Sequence, residues 1–299
     1  MVKKSKAEVW FILQIWGPRA SNKLLIKAAK KSGLNYKIKR AQYFTWVGKI
    51  LFYKGIPVKK SSMPKIIVSR SESKRIRKII SHNPDIIAIN KNETYEIADN
   101  KYNCHVRLEE HNILQPKFSK PTKQSTYKDT SEELGEKFIV KDVLGFRGSK
   151  VFLVESEKEY KRAIRKCGIR RAMCQEFITT SHGKDIRVII MGGKIIVAFT
   201  RQGKGDDFRA NLSQGGTAEF VKLTEEQEKH AIKVYNALGG GFLSVDFLFG
   251  VNDELIFCES NVHTALRMLY DHKTHNIDVA RSLMDYVKEN IAPVDVDEI

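Results

Sequence analysis

Apolar runs in the first third of the chain alternate with helix-periodic stretches. Val9 to Ile15 reads as a strand, and Gly17-Pro18 ends it before a helix from about Ser21 to Lys31. Gly33 stops that helix, and Tyr36 to Ile38 suits the next strand. The order returns at Ile66 to Ser69 (strand), Ser71 to Ile80 (helix), Asn83-Pro84 (break) and Ile86 to Asn90 (strand). Strands and helices in alternation predict a mostly parallel sheet with helices on its faces. Lys101 to Asn112 then has helical periodicity and ends at Gln115-Pro116, while Ser119 to Glu136 is polar enough to read as a loop or linker. Short strands are predicted at Lys137 to Lys141, Val151 to Val154, Met173 to Ile178, Asp185 to Met191 and Lys194 to Arg201. Two capping boxes mark helix starts: Ser156 with Glu159, for a helix to about Cys167, and Thr224 with Gln227, for a helix to Leu238. A last amphipathic helix covers about Asp278 to Asn290.

Between those last two helices, Phe242 to Phe249 and Glu254 to Ser260 form a hairpin pattern around the four residues Gly250 to Asp253. That loop pairs Phe249 with Glu254 and sets Asp246 opposite Phe257. One face then carries Val245, Phe247, Phe249, Ile256 and Cys258, and the other Asp246, Glu259 and Asn261. Asp246 and Glu259 become diagonal neighbours roughly 7 Å apart, within reach of one Mg²⁺ at about 2.1 Å from each ligand. The same residues also suit the solvated face of an ordinary hairpin, and a slip of one residue scatters them.

Composition narrows the class. The chain has 299 residues, 42% hydrophobic and 29% charged, as expected of a soluble protein with two or three small domains. No apolar run approaches a membrane span, and the basic, apolar N-terminus lacks a convincing cleavage site, so a cytoplasmic location is expected. Cys104, Cys167, Cys174 and Cys258 form no C-x-x-C pair, which argues against a zinc ribbon or a disulfide framework. The net charge of +17 points to an anionic partner, whether nucleotide, nucleic acid or acidic polypeptide. Neither a G-x-G-x-x-G nor a Walker A loop is present.

Several residues suit phosphate chemistry. Gly145, Gly148, Arg147, Ser149 and Lys150 make a basic turn that fits a phosphate cover and equally an ordinary hairpin turn. Lys141 ends an apolar strand, where an ammonium wants an anion, and Lys101 opens the preceding helix. Gln175 to Ile178 can offer backbone groups and an apolar wall to a purine, or simply be a core strand. Asp185 and Arg187 share one strand face. Arg201, Arg209 and Asn211 belong to a polar, glycine-containing stretch suited to phosphate or carboxylate recognition, or to a solvated loop. His272 and His275 read as surface, and no nucleophile stands beside a base.

In order, QEFITTSHGKDIRVIIMGGKIIVAFTRQGKGDDFRANLSQGG, SVDFLF and CESN, with weaker ADNKYNCHVRLEEHNILQPK and KFIVKDVLGFRGSKV, resemble the RimK-like carboxylate-amine ligases of the ATP-grasp superfamily. The resemblance implies an α+β ATP-grasp fold, with residues 1–100 a small α/β domain, 101–178 the central or lid subdomain and 179–299 the metal-binding subdomain. It implies ATP with Mg²⁺ or Mn²⁺ as cofactors. Lys101 and Lys141 would contact phosphates under a lid that includes Gly145, Gly148 and Ser149, Glu176, Phe177 and Ile178 would meet adenine, and Asp185, with Arg201 nearby, would bind ribose and nucleotide. Asp246, Glu259 and Asn261 would hold the metal, and Arg187, Arg209 and Asn211 would lie near the reacting phosphate. The implied reaction joins a carboxylate, through an acylphosphate, to an amine, with an amino acid, peptide or protein as substrate. The alternative is a non-catalytic, nucleotide-responsive protein that binds nucleic acid or an acidic partner. After Asn261 the family continues into a Pro-Gly segment, whereas this chain reads Val262-His-Thr-Ala-Leu-Arg267, which puts the identity of the acceptor in doubt.

Overall fold

The structure, a computed structural model, describes residues 8–14, 19–71, 73–145, 149–205, 207–210, 215–264, 266 and 277–291. Two compact units divide the chain, one made of Met1–Tyr95 and His263–Ile299 and the other of Glu96–Val262.

The first unit begins with β1 (Val9–Leu13), α1 (Arg19–Lys31) and β2 (Tyr36–Arg40), then β3 (Phe44–Val47), β4 (Ile50–Tyr53), β5 (Ile56–Pro57), β6 (Ile66–Arg70), α2 (Lys74–Ser81), β7 (Ile87–Ile89) and α3 (Asn92–Ala98). A parallel sheet of order β2-β1-β6-β7 forms its centre. All residues of β1 and β6 are buried, which is why Val9–Leu13 and Ile66–Val68 read as apolar runs that do not alternate. In register, Leu13 lies opposite Arg70, so an arginine closes the carboxyl end of a central strand. The predicted βαβ order holds here, although α2 starts later than Ser71 because Ser73 is its cap, accepting the Arg75 N–H at 3.3 Å. A small antiparallel sheet, β3-β4-β5, occupies a stretch to which the sequence pattern assigned nothing. Its strands are only two to four residues long, and the β3–β4 turn needs a positive φ, +54° at Gly48. Phe44 and Leu51 turn inward to join Trp10, Ile12, Ile67, Ile76 and Ile79. The helix Val279–Ile291 packs on α1 and β6. The end of the expected 179–299 segment therefore lies with the first unit.

In the second unit, α4 (Lys101–Glu110) is capped by Asn100, whose side chain accepts the N–H groups of Tyr102 and Asn103. There follow β8 (Phe118–Ser119), α5 (Tyr127–Leu134), β9 (Phe138–Asp142), β10 (Val151–Val154), α6 (Glu157–Cys167) and β11 (Ala172–Glu176). These strands pair in the order β10-β9-β11-β8. The expected linker at 119–136 thus contains a helix. Its start is a capping box, Thr126 with Asp129, and it is held by buried Leu134 and by the Tyr127 ring stacked 5.7 Å from Phe138. At α6 only half of the predicted box forms. Ser156 accepts the Glu159 N–H, while the Glu159 carboxylate accepts from Glu155 N, one residue earlier.

The second sheet of this unit contains β12 (Lys184–Met191), β13 (Lys194–Gln202), β14 (Thr217–Val221), β15 (Phe242–Phe249) and β16 (Leu255–Asn261), in the antiparallel order β14-β13-β12-β15-β16. The helix α7 (Glu225–Ala237) starts at the predicted Thr224–Gln227 box. The β15–β16 register departs from expectation. Phe249 faces Leu255, not Glu254, because the loop is five residues long, with left-handed Asn252 and Asp253. Phe247 faces Phe257, so Leu255 and Phe257 share its face in place of Ile256 and Cys258. The register then shifts at Cys258, and Asp246 faces Glu259 directly while Ser244 faces Asn261. The bulge restores the shared face that the miscounted loop would have lost. Among the described residues, no helix is long and apolar enough to cross a membrane.

Candidate active site

Four neighbouring strands gather the charged residues. Asp185 and Arg187 stand two apart on β12, with Arg201 of β13 opposite Asp185, Asp246 of β15 opposite Arg187, and Glu259 of β16 opposite Asp246. Arg187 donates through Nε and Nη2 to the two Asp246 oxygens, at 2.6 and 2.5 Å. Arg201 makes the same fork on Asp185, at 2.7 and 2.5 Å, and its Nη2 also reaches Asp246 Oδ2 at 2.8 Å. These are charge-assisted bonds in a dry place. Burial works against ionisation of Asp246, but Arg187 and Arg201 outweigh it and bring its pKa down to about 2. Asp185 has a share of one arginine only. Burial lifts it to about 6 against the pull of Arg201.

Two lysines approach from other elements. Lys101, at the start of α4, donates Nζ to the Gly145 carbonyl at 2.5 Å and lies 3.6 Å from Glu259 Oε2. Lys141, in β9, is 5% exposed, and its Nζ reaches only the carbonyl of the bulge residue Cys258, at 3.5 Å. Among the described residues no carboxylate lies within ion-pair distance of it. Burial, with Lys101 adding, depresses its pKa. His105, one turn beyond Lys101 on α4, is a member that the sequence reading passed over, although i+4 spacing from Lys101 was the available signal. It is buried between Phe118 and Phe257, with Nδ1 2.8 Å from Gln115 Oε1, and burial together with Lys141 depresses its pKa to about 3. Four cations, Lys101, Lys141, Arg187 and Arg201, thus face three carboxylates, Asp185, Asp246 and Glu259. One positive charge is left over, in a setting that favours an added anion.

Of the other expected residues, Gly145 joins this network through its carbonyl and the rest have partners elsewhere or lie outside the described residues. Gly145 is fixed by crowding, since a Cβ there would meet the Ser149 carbonyl at 2.9 Å. Ser149 is exposed, and Gly148 and Asn211 lie outside the described residues. The Glu176 carboxylate accepts from Lys117 N at 3.0 Å, Phe177 meets His182 and Phe208 edge-on, and Ile178 caps a short 3₁₀ turn. Arg209 is forked onto Asp207, at 2.9 and 2.8 Å.

The family model of the RimK-like ATP-grasp domain matches residues 98–287, more than half of the chain. The chain belongs to the RimK-like ATP-grasp family. A "Probable alpha-L-glutamate ligase" of Maridesulfovibrio salexigens is 36% identical over 161 residues, 53% of this chain and 52% of that protein. The chain therefore spans about half the length of the curated glutamate ligases it matches. The Mycoplasma pneumoniae "Uncharacterized protein MG012 homolog" is 30% identical over 217 residues, 68% of this chain and 69% of that protein. The ATP-grasp ligase PsnB, solved with minimal precursor, Mg and ADP, superposes with a TM-score of 0.69 at 15% identity over 95% of this chain and 99% of its own, so the fold is ATP-grasp.

Such a fold implies a divalent cation. Among the described residues no three His, Cys, Asp or Glu side chains converge on a point. A full cage is unnecessary for Mg²⁺, which takes one or two carboxylates and completes its shell with water and phosphate. Glu259 and Asn261 fit that pattern. Both lie on the Asp246 face of β16, where the Glu259 carboxylate and the Asn261 Oδ1 are the oxygens a cation would take, while the Asn261 Nδ2, buried without a hydrogen-bond partner, is a donor suited to an anion such as a phosphate oxygen.

Proposed function

We propose that the chain binds ATP with Mg²⁺ or Mn²⁺ on this sheet face and joins a carboxylate to an amine. The observation that carries this reading is Lys141, a buried ammonium inside a strand with no carboxylate within ion-pair distance among the described residues. A buried cation is stable only beside an anion, and a phosphate of ATP supplies one. Lys101 meets the same phosphates, and Glu176, Phe177 and Ile178 line the adenine while Asp185 takes the ribose. Arg201 is the hinge of the charge network, holding Asp185 and Asp246 in place. Asp246, Glu259 and Asn261 hold the cation, with Asp246 anchored by its arginines. Arg187, Arg209 and Asn211 stabilise charge at the reacting phosphate, and the turn with Gly145, Gly148 and Ser149 covers it and excludes water. ATP, when bound, supplies the phosphoryl group that makes a carboxylate oxygen a leaving group. The chain's own work is to position and to neutralise, which accounts for the lack of a nucleophile.

The substrate class we infer is an amino acid added to a peptide or protein. The names of the glutamate ligases and the precursor bound to PsnB support it. So does charge: Val9–Ser71 contains 14 Lys and Arg residues and no Asp or Glu, which suits an acidic substrate. Incubation with ATP, Mg²⁺ and a panel of amino acids and peptides should release ADP and phosphate only when carboxylate and amine are both present, with the amide product found by mass spectrometry. Glu259→Gln and Lys141→Met should each lower kcat/KM by about 10²-fold or more with the far-UV spectrum unchanged. AMP and pyrophosphate as products, or a fully active Glu259→Gln protein, would refute the reading.

A further inference from the structure

Outside this site, the first unit holds a second buried cation that no carboxylate among the described residues balances. Arg70 is 7% exposed and is the last residue of β6. Its Nη2 donates to the Thr264 carbonyl at 2.9 Å, while its Nη1 is buried without a hydrogen-bond partner. Among the described residues no carboxylate pairs with it. Burial lowers its pKa only to about 10, with Tyr95 pulling the other way, so at neutral pH the guanidinium stays charged. Buried arginine without a counter-ion is costly, and a native fold keeps one where a ligand supplies the missing charge.

The place in the fold agrees. The sheet order β2-β1-β6-β7 sends the chain outward from β1 on one side and from β6 on the other, so β1 and β6 flank the topological switch point. Ligands of open parallel sheets bind outside the carboxyl ends of the strands at this point. Arg70 sits there, opposite Leu13. Leu266 is tied down by its N–H, which is bonded to Ser21 Oγ at 3.0 Å. Two further polar atoms of the same unit, Thr264 Oγ1 and Asn22 Oδ1, are buried and unpartnered. Nη1 can donate to an anion, and Thr264 Oγ1 can donate to its second oxygen.

We propose that Arg70 and Thr264 form a carboxylate-binding site within the first unit, with a free amino acid as its ligand. One planar carboxylate offers an oxygen to Nη1 and another to Thr264 Oγ1, while Nη2 stays on the Thr264 carbonyl.

Thermal unfolding of the full chain in chloride-free buffer tests this, with L-glutamate and inorganic phosphate as probes and Mg-ATP as a control. L-glutamate should raise the Tm saturably, phosphate should not, and the rise should vanish in Arg70→Met. In Arg70→Lys, which keeps the charge but loses the planar group that holds the Thr264 carbonyl and the anion together, the apparent affinity should fall at least tenfold. The Mg-ATP shift should be the same in all three proteins. If Arg70→Met does not fold, Arg70→Lys decides. A glutamate shift that survives in these variants overturns the proposal, as does the absence of any shift in the wild type; an equal shift with phosphate overturns the carboxylate assignment.

Discussion

At the scale of single residues, burial decides what each ionisable group can do. His105 is neutral in the fold because its ring lies between aromatic faces near Lys141. Its pKa is down to about 3, so in the window from 6.5 to 3 the unfolded chain takes up a proton that the folded chain refuses. Stability from this group is complete above pH 6.5 and is lost as the pH falls toward 3. His263, also depressed to about 3 by burial and by Arg70, acts in the same direction. Asp185 acts in the opposite one: raised to about 6, it adds stability as the pH drops from 6 toward 4. Two histidines against one aspartate leave a net loss on acidification. Replacing His105 by Gln should therefore flatten the decline between pH 6 and 4 by about 1.4 kcal/mol per pH unit, measured by urea unfolding at several pH values. An unchanged slope would mean that His105 takes up its proton in the folded state. Asp246, Glu259 and Lys141 were legible in the sequence, because strand alternation and an apolar flank mark them. Their partners were not. That Arg187 clasps Asp246 and Arg201 bridges two aspartates depends on which strands lie side by side, and only the register of β12 with β13 and β15 fixes that.

Elements carry the next constraint, and β15–β16 shows it most clearly. Counting a four-residue loop gave the wrong partner at every position near the turn, yet the correct face for Asp246, Glu259 and Asn261, because the bulge at Cys258 compensates for the extra loop residue. The bulge residue contributes its backbone, since its carbonyl is the one that Lys141 reaches. Burial, ahead of every other influence, pushes its thiol up to about 12, so it is no thiolate at neutral pH. Cys258→Ala should accordingly keep nucleotide binding within a few-fold. Insertion of an alanine between Cys258 and Glu259 should turn Glu259 and Asn261 to the opposite face and abolish Mg²⁺-dependent ADP binding, with calorimetry as the readout, while the fold survives. Equal binding by the two variants would show that the register of β16 has no part in the site. The same elements explain the gaps in the sequence reading. Helix α5 hides because only Thr130 and Leu134 are buried in it and its box uses Asp at the third position. The β3–β5 sheet hides because strands of two to four residues carry too few positions to show a period.

For the molecule as a whole, the two units divide function in a way that chain order conceals. Every candidate nucleotide and metal residue, from Lys101 to Asn261, falls within Glu96–Val262, while His263–Ile299 returns to the first unit. The family match runs on to residue 287, so sequence similarity alone joins the helix Val279–Ile291 to the grasp. Its buried face, Val279, Ala280, Leu283, Met284 and Val287, packs instead on elements of the first unit. Removing the helix would expose the apolar surface of α1 and β6 that it covers, at roughly 25 cal/mol for each Å² exposed. A chain ending at Val262 should for that reason lose stability in its first unit and expose β1 and β6 amides to hydrogen exchange. A fragment of residues 96–262, which keeps both of its sheets, should still bind Mg-ADP within about tenfold of the whole chain, since a nucleotide adds stability in proportion to its affinity for the folded fragment. If the fragment fails to bind nucleotide while the chain ending at Val262 protects β1 and β6 as well as the full protein does, then the helix belongs energetically to the nucleotide-binding half, and the division of labour between the units is reversed.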